Sequence, residues 1–173
     1  MCIGILGGFQ LIHHPQVSST SSSSSSSSSP SPATSIHLLT YISGNQTIKC
    51  VPFESIPSGV TLANLDSTQD RPSSGTLYTH RIKAATHSAR ILAYIYDQPT
   101  KTFIVLTNDS KVKIFALEDA MSGAVKVSPG RLLKKYRNIG GTFKLGYPYI
   151  LKKVSETTLL YTADEGIFIL RLD

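Results

Sequence analysis

The chain has 173 residues, 40% hydrophobic and 16% charged, with 17 Lys and Arg against 11 Asp and Glu for a net charge of +6. That balance excludes the highly charged disordered class, and the length suits one ordinary domain around a single core. Two cysteines, Cys2 and Cys50, are too few for a disulfide scaffold and have no metal-ligand spacing. A reduced, cytoplasmic setting is the simplest expectation, with the nucleus and the membrane periphery as other settings.

Residues 1–16 read as an N-terminal strand or tail. Met1 to Ile12 is apolar but lacks a basic leader, is interrupted by Gly4, Gly7 and Gly8, and is too short to span a bilayer. Residues 17–35 form a low-complexity Ser-rich linker that includes Ser21 to Ser29 without interruption. With no apolar surface to offset the entropy of ordering, this stretch is expected to be disordered, as a passive loop or a phosphorylation target.

Residues 36–173 read as the β-rich domain. Ile36 to Ile42 and Thr47 to Phe53 flank a Gly44-Asn45 turn, a hairpin signal, with Pro52 ending the second strand. Residues 54–75 carry Ser, Pro, Gly and Asp without periodicity and read as a flexible loop. Arg90 to Tyr96, Lys101 to Thr107 and Lys111 to Leu117, separated by Asp97-Gln-Pro-Thr100 and Asn108-Asp-Ser110, predict an antiparallel meander of three strands. In the last of these, Val112, Ile114 and Ala116 alternate with Lys111, Lys113, Phe115 and Leu117. The weak contrast between the two faces predicts a strand covered on both sides by neighbouring sheets. Arg131 to Arg137 fits a short helix or a strand, and Gly140-Gly141 reads as flexible. Tyr149 to Val154, Thr158 to Thr162 and Ile167 to Leu172 predict a second meander. The fold class is therefore mainly all-β, built of antiparallel strand meanders with a disordered Ser-rich insertion.

The chemistry of catalysis is not legible. His13, His14, His37, His80 and His87 lack Cys, Asp or Glu at metal spacing. Gly4-Ile-Leu-Gly7-Gly8 is neither a dinucleotide fingerprint nor a phosphate loop, and no Ser lies in a nucleophile elbow. Asp164-Glu165 is adjacent in a turn, where two carboxylates serve the turn better than opposed acid and base roles. No enzymatic activity, metal or cofactor is expected. Asn45-Gln46-Thr47 matches a glycosylation sequon, which matters only for a secreted chain.

Charge is unevenly spread. Lys126, Arg131, Lys134, Lys135, Arg137, Lys144, Lys152 and Lys153 fall between Met121 and Ser155 without an acidic residue. They form a candidate basic patch, interleaved with Tyr136, Phe143, Tyr147 and Tyr149. Such a stretch attracts nucleic acid or anionic lipid, or is an ordinary solvated face.

Leu38 to Phe53, Phe103 to Leu117 and Leu159 to Leu172 share one template of strand, polar turn and strand. Phe103-Ile-Val-Leu-Thr-Asn-Asp-Ser-Lys-Val-Lys-Ile-Phe-Ala-Leu117 resembles the last two strands of a WD40 or citron-homology (CNH) propeller blade, as does the run from Leu159 to Leu172. His87 stands upstream of Phe115 and Ala116, where a WD repeat places its His and its Trp-Asp pair. The chain lacks Trp-Asp and Gly-His, as CNH-type propellers of vacuolar tethering subunits do. The resemblance implies blade-like sheets and a non-catalytic protein-interaction scaffold of a larger assembly, for instance in trafficking or tethering. Its partners would be proteins, and exposed strand edges would favour oligomers. The alternative function is binding of nucleic acid or an anionic membrane through residues 126–153.

Overall fold

A computed structural model of the chain describes residues 9–15, 35–56, 58, 59, 61, 80–117 and 128–173. These hold twelve strands and one 3-10 turn, Phe53–Ser55. The strands are β1 (Gln10–Pro15), β2 (Ser35–Ser43), β3 (Thr47–Pro52), β4 (His80–Lys83), β5 (Ile91–Asp97), β6 (Thr102–Thr107), β7 (Lys111–Ala116), β8 (Ser128–Pro129), β9 (Arg131–Arg137), β10 (Leu151–Ser155), β11 (Thr158–Ala163) and β12 (Gly166–Arg171). The protein is mainly β, as its composition predicts. Of the Ser-rich linker 17–35 only Ser35, which opens β2, is described, and most of the 54–75 loop lies outside the described residues.

Three sheets result. The first has the order β1-β2-β3-β4-β8, the central one β5-β6-β7-β9, and the third β10-β11-β12. All pairings are antiparallel except β4 with the two-residue β8. The N-terminal strand pairs with β2 from Gln10↔Thr40 to Pro15↔Ser35, so it belongs to the same sheet as the hairpin that follows. Arg131 to Arg137 is a strand: its pairing with β7, Lys111↔Arg137 to Ala116↔Arg131, adds a fourth member to the central meander.

Local sequence sets the turns. Gly44 and Asn45 have φ of +58° and +60°, and the Gln46 amide donates to the Ser43 carbonyl at 3.4 Å. Both central residues at positive φ make a tight turn whose twist matches its flanking strands. Lys101 and Ser110 each close their turns in the left-handed region.

The central sheet is covered on both faces. Every residue of β6 is buried. Its alternate side chains Phe103 and Val105 join Leu38, Ile48, Cys50, Ile82 and Tyr94 in one core against the first sheet. Ile104 and Leu106 join Val112, Leu151, Leu159 and Tyr161 in a second core against the third sheet. The strand β7 shows why its sequence contrast is weak. Phe115 and the aliphatic stem of Lys113 turn to the first sheet, where the Lys113 ammonium donates to the Ala84 carbonyl, while Val112 and Ile114 turn to the third.

The chain passes from β4 of the first sheet to β5 of the central one and from β9, the last strand of the central sheet, to β10 of the third, while β8 returns to the first sheet beside β4. The first strands converge: Gln10 Nε2 donates to the Tyr94 carbonyl at 3.0 Å, and β10 packs beside β5. Between β9 and the third sheet a cleft of about 360 Å³ opens.

Candidate functional site

The third sheet offers the most unusual surface. Leu151, Leu159, Tyr161, Phe168 and Leu170 alternate onto its inner face and pack on the central sheet. The register fixes what stands on the other face. Thr162 pairs with Ile167, Leu160 with Ile169, and Thr158 with Arg171. On β10, Lys152 lies across from Leu160, and Ile150 is tied to Thr162 by its amide, which donates to Thr162 Oγ1 at 2.8 Å. The outer face therefore gathers Ile150, Leu160, Ile167 and Ile169 among two threonines, Lys152 and Arg171, and Val154 stands exposed at the bulge where β10 shifts register against β11. Ile167 is 75% exposed, Ile150 and Ile169 63%, and Val154 56%. Scattered apolar side chains are ordinary on a surface, whereas Ile150, Ile167 and Ile169 around Leu160 on one sheet amount to a patch of the kind that marks an interaction site.

The loop beside this sheet is held rigidly. Glu165 accepts from the Thr142 amide at 2.9 Å and from the Thr142 hydroxyl at 2.6 Å. Those hydrogen bonds hold the Glu165 carboxyl below its usual range. Tyr149, packed edge-on against Phe143, accepts from the Lys144 amide at 2.7 Å and donates to Asp164 at 2.5 Å. Gly140 and Gly141 are packed against Phe168, both at positive φ. The pair read from sequence as flexible is thus a close-packed bend.

The basic residues do not gather on one face. Arg131, Lys134, Lys135 and Arg137 lie along β9, Lys144 stands in the loop and Lys152 on the outer face of the third sheet. Lys153 turns inward, its ammonium 2.6 Å from Asp97. Lys134 and Lys153 line the cleft between β9 and the third sheet, together with Ile104, Leu133, Tyr136 and Glu156. Lys126 lies outside the described residues. Of the interleaved aromatics, Tyr136 carries Lys134 over its ring at 5.2 Å, and Phe143 and Tyr149 pack beside Tyr161 in the core against the third sheet. Tyr147 alone of the four is largely exposed.

Cys50 is fully buried, which pushes its thiol far above the usual range and leaves it unreactive at neutral pH. His87 sits exposed in the loop between β4 and β5. Among the described residues no group of three His, Cys, Asp or Glu could hold a metal ion, and no helix is long and apolar enough to cross a membrane.

In the sequence, Ile167 and Ile169 stand out only as members of a terminal strand. Their face was readable from β12, whose alternate positions after Gly166 are all apolar until Arg171. Ile150 and Val154 fall in the predicted strand Tyr149 to Val154, but nothing in that segment says which of its residues stay open.

Comparison with protein families, with characterised proteins and with solved structures finds no match.

Proposed function

We propose that this chain is a non-catalytic protein-interaction module of a larger assembly, its sheets acting in the manner of β-propeller blades. The partner it docks is an apolar-faced β-sheet, received on the outer face of β10–β12. The carrying observation is that face: Ile150, Ile167 and Ile169 stand open around a half-buried Leu160, where both faces of the central sheet are covered by a neighbour. The antiparallel meanders stacked face to face, and the convergence of β1, β5 and β10, support the blade-like reading. Covering a few hundred Å² of apolar surface would contribute on the order of 5–10 kcal/mol before the cost of association, enough for a specific contact.

For the isolated chain, the available apolar sheet is that of a second copy. Sedimentation velocity over a concentration series should show self-association in the micromolar range. The double substitution Ile167→Lys, Ile169→Lys should abolish it while leaving the circular dichroism spectrum unchanged. A wild-type chain that stays monomeric throughout, or association indifferent to the substitutions, refutes the assignment of this face.

A further inference from the structure

We infer that the free edge of β9 accepts an extended acidic peptide, which adds as a fifth strand to the central sheet. This site is separate from the outer face of β10–β12 and does not depend on it.

The strand is the last of its sheet, and among the described residues only β7 pairs with it. Its other edge therefore carries a row of main-chain donors and acceptors, regular from Lys134 to Arg137 and bulged at Leu133 where the pairing with β7 shifts register, the template used when a peptide augments a sheet. Every residue from Arg131 to Arg137 is exposed except Tyr136, which is half-buried. Leu132 and Leu133 are 48% and 45% exposed, so the strand offers apolar contacts as well as backbone.

Charge selects the occupant. Arg131, Lys134, Lys135 and Arg137 put basic side chains on both faces of the strand, with no acidic residue in it. The register then sets like charges directly opposite one another, Lys111 across from Arg137 and Lys113 across from Lys135. Like charges in directly opposed positions destabilise a sheet. Lys113 records the strain: burial lowers its pKa, and Lys135 and Lys111 push the same way against Asp109. Lys134, Lys135 and Arg137 form no ion pair among the described residues. Of the nearby carboxylates, Asp97 and Asp109 are taken by Lys153 and Lys111, while Glu156 and Asp173 line the cleft with Lys134, which leaves Lys135 and Arg137, on the other face, to receive an acidic partner.

A second β9 edge would add to this repulsion, so the same charges that exclude a copy of this chain favour an acidic strand. An extended segment alternating Glu or Asp with aliphatic residues meets all three demands. Its backbone completes the ladder, its carboxylates neutralise the opposed cations, and its aliphatic side chains cover Leu132 and Leu133.

The test uses the full chain and fluorescence anisotropy. The probe is a labelled, end-capped peptide of alternating Glu and Val, seven residues long. It should bind at least about tenfold more tightly than the matching Lys-Val peptide. Methylating alternate backbone nitrogens, in one of the two possible frames, should abolish binding, because that frame carries the donors to β9. Lys135→Glu with Arg137→Glu should weaken binding by about tenfold or more. Three results overturn the inference. One is no preference for the acidic peptide, and another is full binding by both methylated peptides, which would mean attraction by charge alone. The third is tighter binding of an oligouridine of equal charge, which would assign the strand to nucleic acid.

Discussion

Lys153 Nζ lies 2.6 Å from Asp97 Oδ2, and this pair joins the first strand of the third sheet to the last residue of β5 in the central one. The side chains are 19% and 10% exposed, so the pair is largely removed from water. Asp97 also accepts the Thr100 hydroxyl. A largely buried ion pair is weak evidence of net stabilisation, yet removing one partner strands the other. Lys153→Met should therefore lower unfolding free energy by roughly 3 kcal/mol. The double variant Asp97→Asn, Lys153→Met should recover at least half of that loss. Urea unfolding of the wild type and both variants measures this, and an unaltered midpoint for Lys153→Met would refute the structural role.

The two faces of β12 should respond in opposite ways. Phe168 stacks on Tyr161 with ring centroids 5.4 Å apart and lies over Gly140 and Gly141, so Phe168→Ala should cost about 3 kcal/mol. Ile167→Ser with Ile169→Ser changes only side chains on the open face and should stay within about 0.5 kcal/mol of wild type in the monomer. Equal losses from the two sets would place the strand in another register.

Much of this architecture is legible in the residues. The turns announce themselves through Gly44-Asn45, both at positive φ, which few residue types tolerate, and through the polar pairs Asn108-Asp109 and Asp164-Glu165, each followed by a residue in positive φ, Ser110 and Gly166. The mixed faces of Val112 to Leu117 identify a strand sandwiched between sheets, since one hydrophobic face would suffice against a single neighbour. The strand β9 is ambiguous for a physical reason: Arg131-Leu-Leu-Lys-Lys-Tyr-Arg137 has neither strict alternation nor a helical stripe, and its state is decided by pairing with β7. The site is less legible than the fold. A basic run in sequence is not a basic surface, because Lys152 and Lys153, as neighbours on a strand, point to opposite faces, and one of them is consumed by Asp97. The apolar face of the third sheet is assembled from three strands, and only their register brings Ile150, Leu160 and Ile169 together.

Gly141 should be intolerant of any side chain. Its φ is +77°, and an added Cβ would lie 2.5 Å from the Cβ of Ala163. Gly146 has φ of +95° with nothing within 4 Å, so it carries the backbone preference without the clash. Gly146→Ala should cost about 1–2 kcal/mol from the left-handed conformation alone. Gly141→Ala should cost more, by about 1 kcal/mol or above, because Ala163 must move within a packed strand. Thermal unfolding compares them, and equal losses would mean that Gly141 has room the structure does not give it.

The Glu165–Thr142 contact makes a prediction with a definite sign in pH. The carboxylate accepts from the Thr142 hydroxyl and the Thr142 amide, and these hydrogen bonds lower its pKa below the ordinary 4.5. A carboxyl with a depressed folded pKa binds fewer protons in the folded state than in the unfolded one. Its contribution is then complete above the unfolded value of 4.5 and is lost as pH falls through the lower, folded value. The group is fully exposed, so the effect is small and screened by salt. Glu165→Gln keeps one acceptor for Thr142 but removes the titration. The thermal midpoints of wild type and Glu165→Gln, followed from about pH 7 down to pH 3 in low salt, should differ by a constant amount at neutral pH. The gap should close only below 4.5, as the wild-type carboxyl takes up its proton. A difference that persists unchanged to the acid end, or that closes at higher pH, would mean the carboxylate does not hold Thr142 in solution.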